Sequence, residues 1–179
     1  RSSHRHVTIR GGGIIFPIAG LIFLPLATFE GVLFCASLLL ITCLSFTDDV
    51  RDVDSRIRLI IQSIAVTGLL YPFIGTVDWI WLPISFVLVT GIINAYNFMD
   101  GINGITVLYS AVTIGSLFWV SEHIFFLQPA IFFLAVLAAL SVFSFFNLRK
   151  KAKCFAGDVG SVSMAFIICF LLINLSVKT

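Results

Sequence analysis

Three short motifs hold the groups in this chain that could do chemistry. They read Asp48-Asp49-Val50-Arg51-Asp52, Asn94-Ala95-Tyr96-Asn97-Phe98-Met99-Asp100-Gly101 and Gly157-Asp158-Val159-Gly160-Ser161. Two adjacent carboxylates repel, and partial burial raises the pKa of at least one. A divalent cation or a metal-bound phosphate relieves that repulsion; ion pairs with Arg51, Arg56 and Arg58 in a solvated loop would relieve it too. If the helix carrying Asp48 continues, Asp52 falls one turn beyond it on the same face. Asn94, Asn97 and Asp100 recur every three residues, which places them on one side of a helix, and Gly101 and Gly104 follow in a turn that lets backbone approach a ligand. Asp158 and Ser161 are both candidates to cap the helix they begin. A helix start flanked by glycines also favours phosphate, and an Asp there can hold Mg²⁺, which takes one or two carboxylates plus substrate phosphates.

The elements that must position these groups are membrane helices. Hydrophobic residues make up 59% of the 179, charged residues 11%, and the mean hydropathy is +1.10. A soluble domain carries roughly 25% charged residues, so this chain cannot clothe a water-facing surface. A net charge of +2 is too small to indicate nucleic-acid binding. Crossing the hydrocarbon core takes about 20 apolar residues. Seven runs approach this, at 14–28, 31–46, 57–75, 79–96, 105–120, 124–146 and 162–177. They are apolar all round, unlike the alternating strands of a barrel. The first two are short and nearly contiguous, which suits a tilted or re-entrant segment. Cys35, Cys43 and Cys169 lie in apolar runs and Cys154 in a basic loop; with no metal-binding spacing, reduced thiols are expected.

Lys and Arg set the orientation. With the N-terminus inside, the chain returns to that face at 47–56, 97–104 and 147–161. That face then holds Arg1, Arg5, Arg10, Arg51, Arg56, Arg58, Arg149, Lys150, Lys151 and Lys153, against Lys178 alone outside. The same parity carries all three acidic motifs to the cytoplasmic face. The run Arg10-Gly11-Gly12-Gly13 opens the first helix, either permitting close approach to a ligand or acting as a flexible lead-in. His4 and His6 have no metal-ligand context. Phe155 stands out among the 19 phenylalanines because it sits in the loop beside Asp158.

Taken in order, these motifs resemble the polyprenyl-phosphate N-acetylhexosamine-1-phosphate transferases, a glycosyltransferase family that includes the phospho-N-acetylmuramoyl-pentapeptide transferase of peptidoglycan synthesis. Arg10-Gly11-Gly12-Gly13 resembles its first motif. Asp48-Asp49, with Asp54-Ser55-Arg56-Ile57-Arg58-Leu59 and Gln62, resembles its first acidic loop. Asn94 to Gly101 is similar to its most specific signature, and Phe155-Ala156-Gly157-Asp158-Val159-Gly160-Ser161 to its third. The resemblance implies an all-α polytopic membrane protein, with about seven transmembrane helices here out of a bundle of about ten or eleven. It implies one transmembrane catalytic domain over 1–179 that lacks an N-terminal helix, the C-terminal helices and a histidine-rich loop, and hence a segment inactive by itself. The implied reaction moves a sugar 1-phosphate from a UDP-sugar to undecaprenyl phosphate and releases UMP, initiating cell-envelope polysaccharide synthesis such as that of lipopolysaccharide. The implied roles are Asp48 and Asp49 catalytic, Asp158 the ligand of Mg²⁺ (Mn²⁺ as substitute), Asn97, Asp100 and Asn103 in the nucleotide pocket, Phe155 stacked on uracil, and Arg10 on substrate. Partners would be the UDP-sugar, the lipid phosphate and the bilayer, with no nucleic acid and with a homodimer allowed. The site would face the cytoplasm from a bacterial inner membrane. Asn103 departs from the family, which often has Asp there; that affects nucleotide contacts more than catalysis.

Two alternatives stand beside the hexosamine reading. One is the pentapeptide transferase itself. The other, of a different class, is a non-catalytic or transporter-like membrane protein, which should carry charges and broken helices near the midplane rather than acids at one face.

Overall fold

In a computed structural model, residues 11–22, 28–149 and 152–178 are described. The described chain is all-α, a polytopic membrane protein with seven α-helices: α1 (Ile15–Ile22), α2 (Phe29–Val50), α3 (Ser55–Leu70), α4 (Trp81–Met99), α5 (Ile105–His123), α6 (Ala130–Asn147) and α7 (Gly157–Lys178). Short 3₁₀ turns precede α1 (Gly12–Ile14) and follow α3 (Tyr71–Phe73).

Among the described residues, five helices, α2, α4, α5, α6 and α7, are long and apolar enough to cross a membrane, against seven apolar runs in the sequence. The described part of α1 has eight residues, and α3 stops at 16 because Pro72 tightens the chain into the 3₁₀ turn. Other boundaries also move. α2 runs four residues past the expected end, through Asp48 and Asp49, and stops at Val50. Asp52 therefore does not share a helical face with Asp48. Pro129 caps α6, so residues 124–129 are not its first turn. α7 starts at Gly157, five residues before the apolar run, which brings Asp158 into its first turn.

α7 is the axis of the bundle and packs on α1, α2, α4 and α5. Its small residues allow this: lipid supplies little hydrophobic drive between helices, so close backbone approach and dense contact hold them. On its larger side, Phe166 and Phe170 stack on Phe34 of α2 at centroid distances of 6.0 and 4.2 Å. Thr42 and Ser163 share a hydrogen bond of 3.1 Å across the same interface. α3 covers α2 and α4, and α6 covers α1 and α5. Lipid-facing positions stay apolar, as at Val87, Leu88 and Val112. All three tryptophans, Trp79, Trp81 and Trp119, are exposed at helix ends on the side away from the acidic motifs, where amphipathic rings suit the interface.

Candidate active site

The acidic motifs meet where α2 and α4 end and α7 begins. Gly157, the first residue of α7, has φ +71, and neither it nor Ala156 offers a side chain that could cap the helix. The cap comes instead from α2. Asp49 Oδ1 accepts the Asp158 N–H at 3.0 Å, and its Oδ2 accepts the Val159 N–H at 2.9 Å. Two orphan donors are satisfied, and a negative charge sits at the positive end of the helix dipole.

Asp48 turns elsewhere. Its Oδ1 accepts the Val53 N–H at 2.9 Å, and its Oδ2 pairs with Arg58 Nη2 at 2.5 Å. The same guanidinium nitrogen lies 3.9 Å from Asp158 Oδ2. Asp54 caps α3 through the Arg56 N–H at 2.8 Å, which starts the helix so that Arg58 faces back to the acids. Asn97 bridges α4 to α7: its Nδ2 donates to Asp158 Oδ2 at 3.3 Å, and its Oδ1 accepts from Ser161 Oγ at 3.1 Å. A narrow cleft opens among these groups. Asp48, Arg58, Asn97 and Asp158 line its polar end, with Gln62 and Asn94 farther in.

Asp100 sits just past α4 and accepts from Thr106 Oγ1 at 2.5 Å. Burial pushes its carboxyl up to about 6; the Thr106 hydroxyl and the Gly157 N–H oppose the rise, and Asp158 and Asp49 add to it. The folded chain thus holds this proton more tightly than an unfolded one, so ionising Asp100 costs stability as pH climbs through 6.

The structure thus brings Asp48, Asp49, Asn97, Asp100 and Asp158 to one place. Phe155 is half-buried beside them, and its carbonyl accepts the Gly12 N–H at 3.0 Å. Asn103 is exposed in the turn that follows. Arg10 lies outside the described residues. The glycine run packs on the segment that leads into α7. Gly12 and Gly13 donate to the carbonyls of Phe155 and Ala156 at 3.0 and 3.1 Å, so their close approach is to the protein's own backbone. Among the described residues, no three His, Cys, Asp or Glu side chains form a metal cage. Asp158 with Asp48 beside it at the cleft suits a cation that is completed by phosphates.

Arg58, read from the sequence as a topology signal and as an ion-pair partner of the acidic loop, does pair with Asp48, but its reach to Asp158 was not legible. One further residue of this site escaped sequence reasoning. Asn147, buried at the end of α6, joins two loops: its Oδ1 accepts the Gly104 N–H at 2.7 Å, and its Nδ2 donates to the Cys154 carbonyl at 3.0 Å. A polar residue ending an apolar run was its only signal. Asn147→Ala leaves a buried amide without a partner and is expected to cost about 2 kcal/mol, read as a lower thermal midpoint in detergent. An unchanged midpoint would mean that the two loops hold without this bridge.

Comparison with known proteins agrees with this arrangement. The profile described as "Glycosyl transferase family 4" matches residues 31–176. The phospho-N-acetylmuramoyl-pentapeptide-transferase of Halalkalibacterium halodurans is 34% identical over 86 residues, 48% of this chain and 26% of that protein. Its counterpart in Latilactobacillus sakei is 35% identical over 95 residues, 52% of this chain and 29% of that protein. The probable undecaprenyl-phosphate N-acetylglucosaminyl 1-phosphate transferase of Bacillus subtilis is 27% identical over 148 residues, 74% of this chain and 40% of that protein. The matched segment thus covers well under half the length of these relatives. A profile match that takes in α2 to α7, with every helix that carries an acid of the site, places the chain in glycosyl transferase family 4.

Proposed function

We propose that this chain is the catalytic part of a membrane phosphotransferase that moves N-acetylhexosamine 1-phosphate from a UDP-sugar to undecaprenyl phosphate, releasing UMP on the cytoplasmic face of a bacterial plasma membrane. The observation that carries the reading is the meeting of Asp158, Asp48 and Asn97 with Arg58 at the start of the buried helix α7. In the reaction, an oxygen of the lipid phosphate attacks the phosphorus bonded to the sugar oxygen, and the bond from that phosphorus to the UMP oxygen breaks. Asp48 takes the proton of the lipid phosphate. Asp158, with Asp48 beside it, would hold Mg²⁺ or Mn²⁺; the cation when bound offsets the charge that builds on the diphosphate. Arg58 keeps a buried Nε–H with no protein partner, a donor left for a phosphate oxygen. Asn97, Asp100 and Asn103 organise the nucleotide pocket, and Phe155 stacks on uracil.

The pentapeptide transferase is the second reading, favoured by the 34–35% identity to the two proteins of that name. The Bacillus subtilis relative favours the first reading because it aligns over 74% of the chain. The test is UMP release by the full-length protein in detergent with polyprenyl phosphate and Mg²⁺, across UDP-N-acetylhexosamines and UDP-N-acetylmuramoyl-pentapeptide. Turnover of a UDP-N-acetylhexosamine is expected. Turnover of the pentapeptide substrate alone would select the second reading, and no UMP from any donor would reject both.

A further inference from the structure

We propose that the two adjacent acids have separate tasks, and that Asp49 is a positioning residue: it caps α7 from α2 and thereby aims Asp158 into the cleft. The inference rests on the reading of Asp158 as the residue that holds the divalent cation.

Three observations carry it. Asp49 does not line the cleft, whereas its neighbour Asp48 does; successive helical residues point about 100° apart. Both Asp49 oxygens are engaged by the first N–H groups of α7, at 3.0 and 2.9 Å, across 109 and 110 positions of sequence. Finally, Gly157 makes room for this contact. A Cβ there would stand 2.6 and 2.9 Å from the two Asp49 oxygens, on a backbone with φ +71.

The Asp158 N–H is itself one of the two capped donors. The backbone of the residue that carries the carboxylate is therefore pinned directly. Asn97 holds the carboxylate from the other side. Loss of the cap would let the first turn fray and the carboxylate swing. Supporting groups of this kind typically change metal affinity about 10–100-fold when removed.

The test uses the full-length protein with Asp49→Asn and, separately, Gly157→Ala, which keeps every carboxylate but pushes Asp49 aside. Hydrogen–deuterium exchange of metal-free protein reads the cap: amides of Asp158 and Val159 should exchange at least about tenfold faster in both variants, as loss of a charge-assisted pair of hydrogen bonds predicts. Mn²⁺ titration by electron paramagnetic resonance should show affinity weakened about 10–100-fold. UMP release should recover to within a few-fold of wild-type kcat when Mg²⁺ is raised to saturation. Wild-type exchange and Mn²⁺ affinity in Asp49→Asn, with activity lost at all Mg²⁺ concentrations, would overturn the proposal and put Asp49 on the reacting groups. Wild-type protein that binds no Mn²⁺ would instead strike the reading of Asp158 as a metal ligand, while exchange of the metal-free protein judges the cap by itself.

Discussion

Asp158→Asn is expected to lower UMP release by at least about a thousandfold, because charge stabilisation by a bound metal contributes several kcal/mol to such a step. The amide matches the carboxylate in shape, so the fold should survive: the Asp158 N–H still meets Asp49, and the side-chain oxygen can still accept from Asn97 Nδ2. What disappears is the negative charge facing the cleft, and with it the charge contact to Arg58 at 3.9 Å, a small term at that distance. Elution from size-exclusion and the thermal midpoint should therefore stay near wild type while turnover falls. Turnover near the wild-type level with the usual Mg²⁺ dependence would leave Asp158 as a member of the first turn of α7 and nothing more.

Gly13→Val is expected to be the most damaging single change to stability. A Cβ at Gly13 would lie 2.3 Å from Gly160 Cα and 2.8 Å from the Ala156 carbonyl oxygen. Both are backbone atoms of the segment that holds Asp158, so neither can turn aside as a side chain would. The Gly12–Ile14 turn must leave α7, and the hydrogen bonds to Phe155 and Ala156 go with it. Overpacking costs about 1–3 kcal/mol in an ordinary core; with backbone on both sides we expect about 3 kcal/mol, or a midpoint about 10 °C lower at this size. Gly91→Ala is the control, since nothing lies within 4 Å of a Cβ there and Ala is the better helix former by up to about 1 kcal/mol. Equal midpoints for Gly13→Val and Gly91→Ala would refute the close packing of the turn on α7.

The sequence by itself determined that the chain is a helical membrane protein and which residues carry its polar chemistry. Hydropathy decides the first, because no water in the bilayer can satisfy an open backbone, and long apolar runs then have few folds to choose from. The second was legible because polar residues that end apolar runs are costly, so Asp48, Asn97, Asp100 and Asp158 stand out from their surroundings. The number of long spans was less legible: Pro72 and the basic start of α3 shorten a run that hydropathy counts as complete. Only the tertiary structure decided how the polar groups divide their work. Asp48 and Asp49 are the same residue type one step apart, and nothing local says that one faces a cleft while the other caps a helix more than a hundred residues away. That depends on the rotation of α2 against α7, which packing sets. The same holds for Arg58, Asn147 and Gly13, whose partners lie on other helices and loops. A charge, an amide and a missing side chain acquire their roles from what the bundle brings within reach.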